Sequence, residues 1–245
     1  MAKVSVGFFS FTEVTDPAEH RSYNAWHQLD HMPEQYPLPG VVFGQRWVST
    51  PACRAARAVD GALLAPIHYV TLYLMGEPLD ETLREFRALG EELHAAGRFH
   101  EHRRSRLSGP FDVTAMAAAP RVLVSAEAVA FRPNLGVYVV VREPDAGAAA
   151  GDTGDTGDTG DGALLGVDGV AGVWTFAAGE RFAGHRWRPG RRAVTVCYLD
   201  REPLGVAGAL GERVVASSTV ASPVVFAGPF ETITPWHWDW FDQGG

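Results

Sequence analysis

The chain has 245 residues, 46% hydrophobic and 20% charged, with a formal net charge of −8. It is long enough for one large domain or two small ones, each with a core, and its acidic balance excludes the basic footprint of a nucleic-acid binder and disfavours anionic membranes. The two cysteines, Cys53 and Cys197, form no disulfide framework or zinc pattern, and no apolar run reaches membrane-spanning length, so the expectation is a cytoplasmic protein with no nucleic-acid or membrane partner.

Lys3 to Phe11 is rich in Val and Phe and reads as a buried strand. Asp16-Pro17 offers an N-cap with proline at the first helical position, and the helix should end near His31 or Met32, because Pro33 disfavours helical geometry before it. Val41 to Ser49 reads as a strand, Thr50 to Pro66 as a loop of small residues, and His68 to Met75 as a strand. In that last strand Val70, Leu72 and Leu74 alternate with Tyr69, Thr71 and Tyr73, two faces in two environments. Leu79, Leu83, Phe86, Leu89 and Leu93 keep helical spacing; Arg98 to Arg106 reads as a basic loop and Pro110 to Met116 as a strand. The order β-α-β-β-α-β is the split βαβ arrangement, an antiparallel sheet with both helices on one face.

The pattern then returns. Gly44-Gln45-Arg46-Trp47 recurs as Gly184-His185-Arg186-Trp187, Glu77-Pro78-Leu79 as Glu202-Pro203-Leu204, and Gly109-Pro110-Phe111-Asp112 as Gly228-Pro229-Phe230-Glu231. Three echoes in one order imply a duplication: a first repeat over 1–118, a second over 122–235, and an aromatic tail, 236–245, containing Trp236, Trp238 and Trp240. In the second repeat the first helix should be shortened or lost, because 146–162 carries Gly-Asp-Thr triplets and glycine every third residue opposes a helix. Calcium at Asp152, Asp155 and Asp158 does not fit, since the spacing is that of neither an EF-hand nor a nonapeptide repeat. The tail should dock, because exposed tryptophans at that density are costly.

The stretch from Tyr23 to Glu34 gathers titratable and aromatic groups on one helix. On a wheel of about 100° per residue, Tyr23, His27, Asp30, His31 and Glu34 lie opposite Ala25, Leu29, Met32 and Tyr36. An amphipathic helix docks its apolar side on the sheet and leaves the other solvated. A chemical alternative stands beside that: imidazole titrates near neutrality, so His31 is a candidate acid/base, with His27, Asp30 and Tyr23 in support. His27 and His31 have the i, i+4 spacing of metal ligands but lack a third, so no metal is assigned. No phosphate-cradling loop or dinucleotide fingerprint is present, and no cofactor is expected.

Tyr23, Trp26, His27, His31, Pro33, Pro39, Gly40, Val41, Arg46 and Trp47 spell Tyr-x-x-Trp-His-x-x-x-His-x-Pro followed by Pro-Gly-Val and an Arg-aromatic strand. Over roughly the first fifty residues this resembles the EthD-like branch of the dimeric α+β barrel superfamily. The resemblance implies two ferredoxin-like sheets around a cavity, here from one chain, as a monomeric pseudo-dimer or a homodimer. Its relatives include polyketide cyclases, isomerases, quinone-forming monooxygenases and, more distantly, haem enzymes. The expected cavity lies on the sheet faces away from the helices, with Phe9, Phe11, Tyr69, Thr71, Tyr73, Tyr138 and Arg142 as lining and Trp26 beside it. Such a pocket suits a planar aromatic or polyketide-like metabolite. Arg46 and Arg186 either pair with carboxylates or bind an acidic group of that ligand. The expected function is cofactor-independent proton transfer (cyclisation, isomerisation or elimination), with a noncatalytic metabolite-binding protein and an oxygenase as alternatives.

Overall fold

The computed structural model describes residues 3–144, 160–179 and 190–242. The Gly-Asp-Thr tract, His185, Arg186 and Trp187 lie outside the described residues. Strand β1 (Val6–Val14) leads into a short turn of 3-10 helix, Pro17–Glu19, and helix α1 (His20–Trp26). As expected, Asp16 caps this entry, its carboxylate accepting from the Ala18 N–H at 3.0 Å. A π-helical turn, His27–His31, and a 3-10 turn, Pro33–Gln35, complete the connection to β2 (Val41–Val48).

The stretch expected as a loop, Thr50 to Pro66, contains α2 (Pro51–Ala55) and a two-residue strand, β3 (Val59–Asp60). The Thr50 hydroxyl caps α2, and Arg54 and Arg57 donate to the carbonyls of Ala65 and Ile67. Thr50 before Pro51 is a local capping signal that the small-residue composition hid, and β3 is held from a distance by its pairing with β9. Then come β4 (Tyr69–Met75), α3 (Leu79–Ala95) and β5 (Arg103–Ala118). Strand β5 absorbs the arginine-rich half of the expected basic loop, because Arg103 and Arg104 pair with Val14 and Glu13 of β1.

A 3-10 turn, Ala126–Phe131, leads to β6 (Gly136–Arg142). The rest is α4 (Gly160–Leu165), β7 (Val170–Ala177), β8 (Ala193–Leu199), α5 (Pro203–Ala216) and β9 (Val224–Thr232).

The nine described strands form one sheet in the order β2-β4-β1-β5-β7-β8-β6-β9-β3, and β2 also pairs with β9. That last pairing, Trp47 with Thr232 and Val48 with Glu231, closes the sheet into a barrel. All the pairings are antiparallel.

The barrel interior is filled. Phe9, Phe11, Trp47, Phe111, Trp174, Phe176, Phe226 and Phe230 point into it, each at most 1% exposed. Burying each such ring contributes about 1.5–3 kcal/mol, so this is the main stabilising core and not a hollow. Gly7 is needed there, because a Cβ would sit 2.6 Å from Phe176 Cε1. The outer faces carry the helices: α3 over Val6, Phe8, Tyr73 and Met75, and α5 over Tyr138, Val140 and Cys197. The aromatic tail packs on the first half, with Trp238 buried beside Tyr23 and Tyr69 and Phe241 stacked on His20 at 3.9 Å. Among the described residues no helix is long and apolar enough to cross a membrane.

Candidate functional site

The four strands β2, β4, β1 and β5 form a floor. Residues directly opposite across an antiparallel ladder share a face. One such row runs Arg46–Thr71–Ser10–Ser108, and the next runs Gly44–Tyr73–Phe8–Pro110. Polar side chains thus cross the helix-covered face of a sheet whose other face is apolar. Above this floor, α1 with its π turn and α3 stand apart and leave a cavity of about 410 Å3. Its walls include Phe8, Ser10, His27, His31, Thr71 and Tyr73 from the elements just described, and Phe86, Gly90, His94, Phe99 and Arg103 opposite.

The cavity is therefore on the helix side of the sheet, not on the barrel-interior side where it was expected. Phe9 and Phe11 do not reach it, because period-2 alternation sends them into the barrel core. Thr71 and Tyr73 do line it. Tyr69 shares their face but lies behind α1, where its hydroxyl meets His20 Nδ1 at 2.8 Å and accepts from Asn24 Nδ2 at 2.9 Å. Tyr138 packs under α5, and Arg142 donates to Ser217 and Ser222 in the other half.

The wheel orientation is also corrected. Tyr23 and Asn24 are 0% exposed and His27 4%, while Leu29 is 49% and Tyr36 46% exposed. The helix turns its histidine and tyrosine side inward. Two causes act. The floor beneath α1 is polar, so Asn24 and His20 find partners on Tyr69, and Asn24 accepts from Arg46. Further on, Pro33 has no N–H to give and its ring opposes the carbonyl four residues back. The chain widens instead, and the Met32 N–H bonds the His27 carbonyl at 2.8 Å, five residues back. The extra residue swings Met32 into the core, where the lack of a side chain at Gly44 makes room: a Cβ there would lie 2.8 Å from Met32 Cε.

His27 and His31 touch edge to face, with ring centroids 5.2 Å apart. His31 stacks on Trp26 at 4.7 Å and meets the edge of Phe99 at 5.2 Å. Trp26 is itself anchored, its Nε1–H donating to the Arg98 carbonyl at 2.7 Å. Burial is the main reason that His31 is lowered to a pKa of about 3, with the Arg103 charge second. His27 is lowered well below its ordinary value by burial, then by Arg46. Both imidazoles are neutral at pH 7 and can accept a proton. Thr71 Oγ1 lies 3.4 Å from His27 Nε2.

Asp30 is not an orienting partner of an imidazole. Its carboxylate, with that of Glu34, is held by Arg98 at the half-exposed rim. Tyr23 is inside, its ring 5.8 Å from that of His27, and its hydroxyl has no partner. Arg46 is 3% exposed and pairs with no carboxylate among the described residues; its one polar contact is to Asn24 Oδ1 at 2.9 Å.

Sequence reasoning missed Arg103, Phe99, Ser10, Ser108 and the α3 wall. The one local signal was Gly90, a mid-helix glycine that costs about 1 kcal/mol against alanine. A Cβ there would meet nothing within 4 Å, because that space is the cavity.

A ligand-binding histidine normally gives its other ring nitrogen to a carbonyl or carboxylate. Neither His27 Nδ1 nor His31 Nδ1 has a partner, and the described residues contain no group of three or more His, Cys, Asp or Glu suited to a metal. The donor set does not fit an axial haem ligand or a metal site.

No protein-family model matches the sequence, and no curated protein does. Solved structures match by shape. The crystal structure of a chlorite dismutase-like protein superposes at a TM-score of 0.53 with 10% identity, over 98% of this chain and 98% of that one. The likeness is one of fold, an α+β architecture whose antiparallel sheet closes into a barrel. An anthrone oxidase-like protein is similar over 96% of this chain and 94% of its own, at 11% identity and a TM-score of 0.48. Structures this distant share architecture alone, so the chemistry of this chain has to be argued from its own cavity.

Proposed function

We propose that the chain is a small-molecule enzyme that moves a proton on a planar aromatic or polyketide-like substrate, with His31 as the base and His27 and Tyr23 in support. The observation that carries this reading is the pair of contacting neutral imidazoles in the wall of an aromatic-lined cavity of about 410 Å3. His31 takes a proton from an acidic C–H or O–H of the substrate, leaving an enolate or phenolate. Returning the proton at another atom completes an isomerisation or cyclisation with no net change in charge. A base with so low a resting pKa gains proton affinity only when negative charge develops beside it, so the two charges form together. Asp30, at the rim, favours the protonated form of His31 from outside.

The same deprotonation opens a cofactor-independent oxygenation, in which dioxygen is the co-reactant that the resulting carbanion reduces. Oxygen uptake separates the two outcomes. The test of the base is hydrogen exchange into 2-tetralone, a bicyclic ketone with acidic C–H bonds, followed in deuterated water by NMR. The wild type should exceed buffer, and His31→Gln should fall by about 10²–10⁴-fold with the melting temperature kept. Equal exchange in variant and wild type removes His31 from the role, and no wild-type exchange favours a noncatalytic binding protein.

We further propose a tandem duplication with repeats at 1–118 and 122–235. The orders β2-β4-β1-β5 and β7-β8-β6-β9 support it, as do Gly109-Pro110-Phe111 and Gly228-Pro229-Phe230, which pair alike against β1 and β6. The EthD-like branch, a cytoplasmic setting and a monomeric pseudo-dimer belong to the same proposal.

A further inference from the structure

Arg46 carries a charge that nothing nearby answers. Its Nη2 donates to Asn24 Oδ1, a neutral acceptor, while Nε and Nη1 are buried without partners. The Tyr23 and Tyr69 rings flank the guanidinium with centroids at 5.4 and 5.7 Å, which eases the charge without neutralising it. A buried cation without a counter-charge is costly. Other orphans gather on the same face: Tyr23 Oη, His27 Nδ1 and Tyr73 Oη are all buried and unpaired. Folded proteins leave few such atoms unpaired, so this concentration marks a place where polar atoms of another molecule belong.

Water would satisfy the hydroxyls and leave the guanidinium charge as it is. An anionic oxygen satisfies both. Arg46 stands directly across the ladder from Thr71, which lines the cavity floor, so it lies immediately behind that floor, one strand beyond the lining residues. Another cation, Arg103, does line the cavity, over the Phe99 ring at 4.7 Å and the Trp26 ring at 5.7 Å, and forms no ion pair among the described residues. The cavity's one lining carboxylate, Glu91, is 3.9 Å from Arg87.

We infer that an anion subsite lies just behind the inner end of the cavity, beyond Thr71, in which Arg46, assisted by Tyr23, Tyr73 and the more distant Arg103, holds an acidic oxygen of a planar aromatic ligand. The inference rests on the cavity being the substrate site proposed above, and it narrows the substrate to one bearing a carboxylate or an ionisable enol or phenol. Arg46 is then a specificity-determining residue: it selects the charged oxygen, and in the enolate case it stabilises the charge that His31 creates.

Three bicyclic probes test this at neutral pH, read by calorimetry and absorption: 2-naphthoate, its neutral methyl ester, and 2-naphthol. The wild type should bind naphthoate at least tenfold tighter than the ester. Arg46→Gln should lose that preference while binding the ester as before, which a merely structural role would not produce. Bound 2-naphthol showing the naphtholate absorption band assigns the subsite to an enolate or phenolate oxygen. The neutral band, with naphthoate preference intact, assigns it to a carboxylate, and either supports the subsite. Equal binding of naphthoate and ester by the wild type, or no binding of either, overturns it. If Arg46→Gln fails to fold, the wild-type ratio still decides. Naphthoate preference without tetralone exchange would sink the proposed catalysis and keep the subsite; exchange without preference would do the reverse.

Discussion

Acid should unfold this protein early, because four of its histidines are built in as neutral groups. His20 is lowered to a pKa of about 4, and His31 and His68 to about 3, each chiefly by burial. His27 is lowered as well, again chiefly by burial. The unfolded chain takes up these protons near pH 6.5, and the folded chain refuses them until far lower pH. Their contribution to stability is therefore fully present above about pH 6.5 and is lost as pH falls from there toward about 3. Each such histidine removes about 1.4 kcal/mol per pH unit in that window. His20, His31 and His68 together remove about 4 kcal/mol per unit near pH 5, and His27 adds in the same direction. A loss of that size over one to two units is a large part of a typical stability of about 5–15 kcal/mol. The assay is the urea midpoint by tryptophan fluorescence at a series of pH values from about 7.5 to 4.5. The midpoint should fall steeply below about pH 6. His68→Gln retains an acceptor for the Val14 N–H, now held at 3.2 Å by His68 Nδ1, and should reduce the slope by about a quarter, its share of four. A midpoint that stays level down to about pH 5 would refute the reasoning, because it would mean that the imidazoles protonate inside the fold at little cost.

Gly7→Ala should lower stability by about 1–3 kcal/mol, since the new methyl would fall 2.6 Å from Phe176 Cε1 and 2.9 Å from Leu72 Cδ1 inside a filled barrel; an unchanged melting temperature would contradict that packing. Phe241→Ala removes the ring stacked on His20 while keeping Asp242, so the His20 pKa should climb from about 4 toward 6.5, and an NMR titration that leaves it unmoved would show that this ring is not what buries it. Asp30→Asn breaks a half-exposed pair with Arg98, which should leave the melting temperature essentially unchanged and alter tetralone exchange by less than about tenfold. A hundredfold loss there would return Asp30 to the chemistry.

Strands were legible where their side chains alternate or cluster. The strand expected over Val41 to Ser49 is β2, one residue shorter, and the two faces of Tyr69–Met75 fall in different clusters, Val70, Leu72 and Leu74 in the barrel and Tyr73 under α3. Which face is covered by helices and which by the other sheet was not legible, because alternation carries no sign. That is how Phe9 and Thr71 came to be expected around one cavity when they point to opposite sides of the sheet. His27 and His31 stood out by density along the chain. Arg103, Ser10 and Ser108 did not, since strand pairing alone brings them together: Ser10 of β1 lies across from Ser108 of β5 and Thr71 of β4. Elements held by distant partners, such as β3 by its pairing with β9, leave no mark in their own composition.

The inverted helix joins these observations. A segment containing Leu29 and Tyr36 could bury them and solvate its histidines, which is the arrangement that amphipathicity favours. The fold does the opposite: it exposes Leu29 and encloses Tyr23, His27 and Arg46 with polar atoms left unmet. Exposing a leucine and stranding buried polar groups both cost stability, and neither is compensated within the described residues. The same segment departs from α-geometry at the turn that sets His31, and it contains two of the four histidines expected to make the protein acid-sensitive. Local rules broken together in one place, over a sheet whose other face carries the buried aromatic core, are the pattern expected where function rather than stability sets the residues.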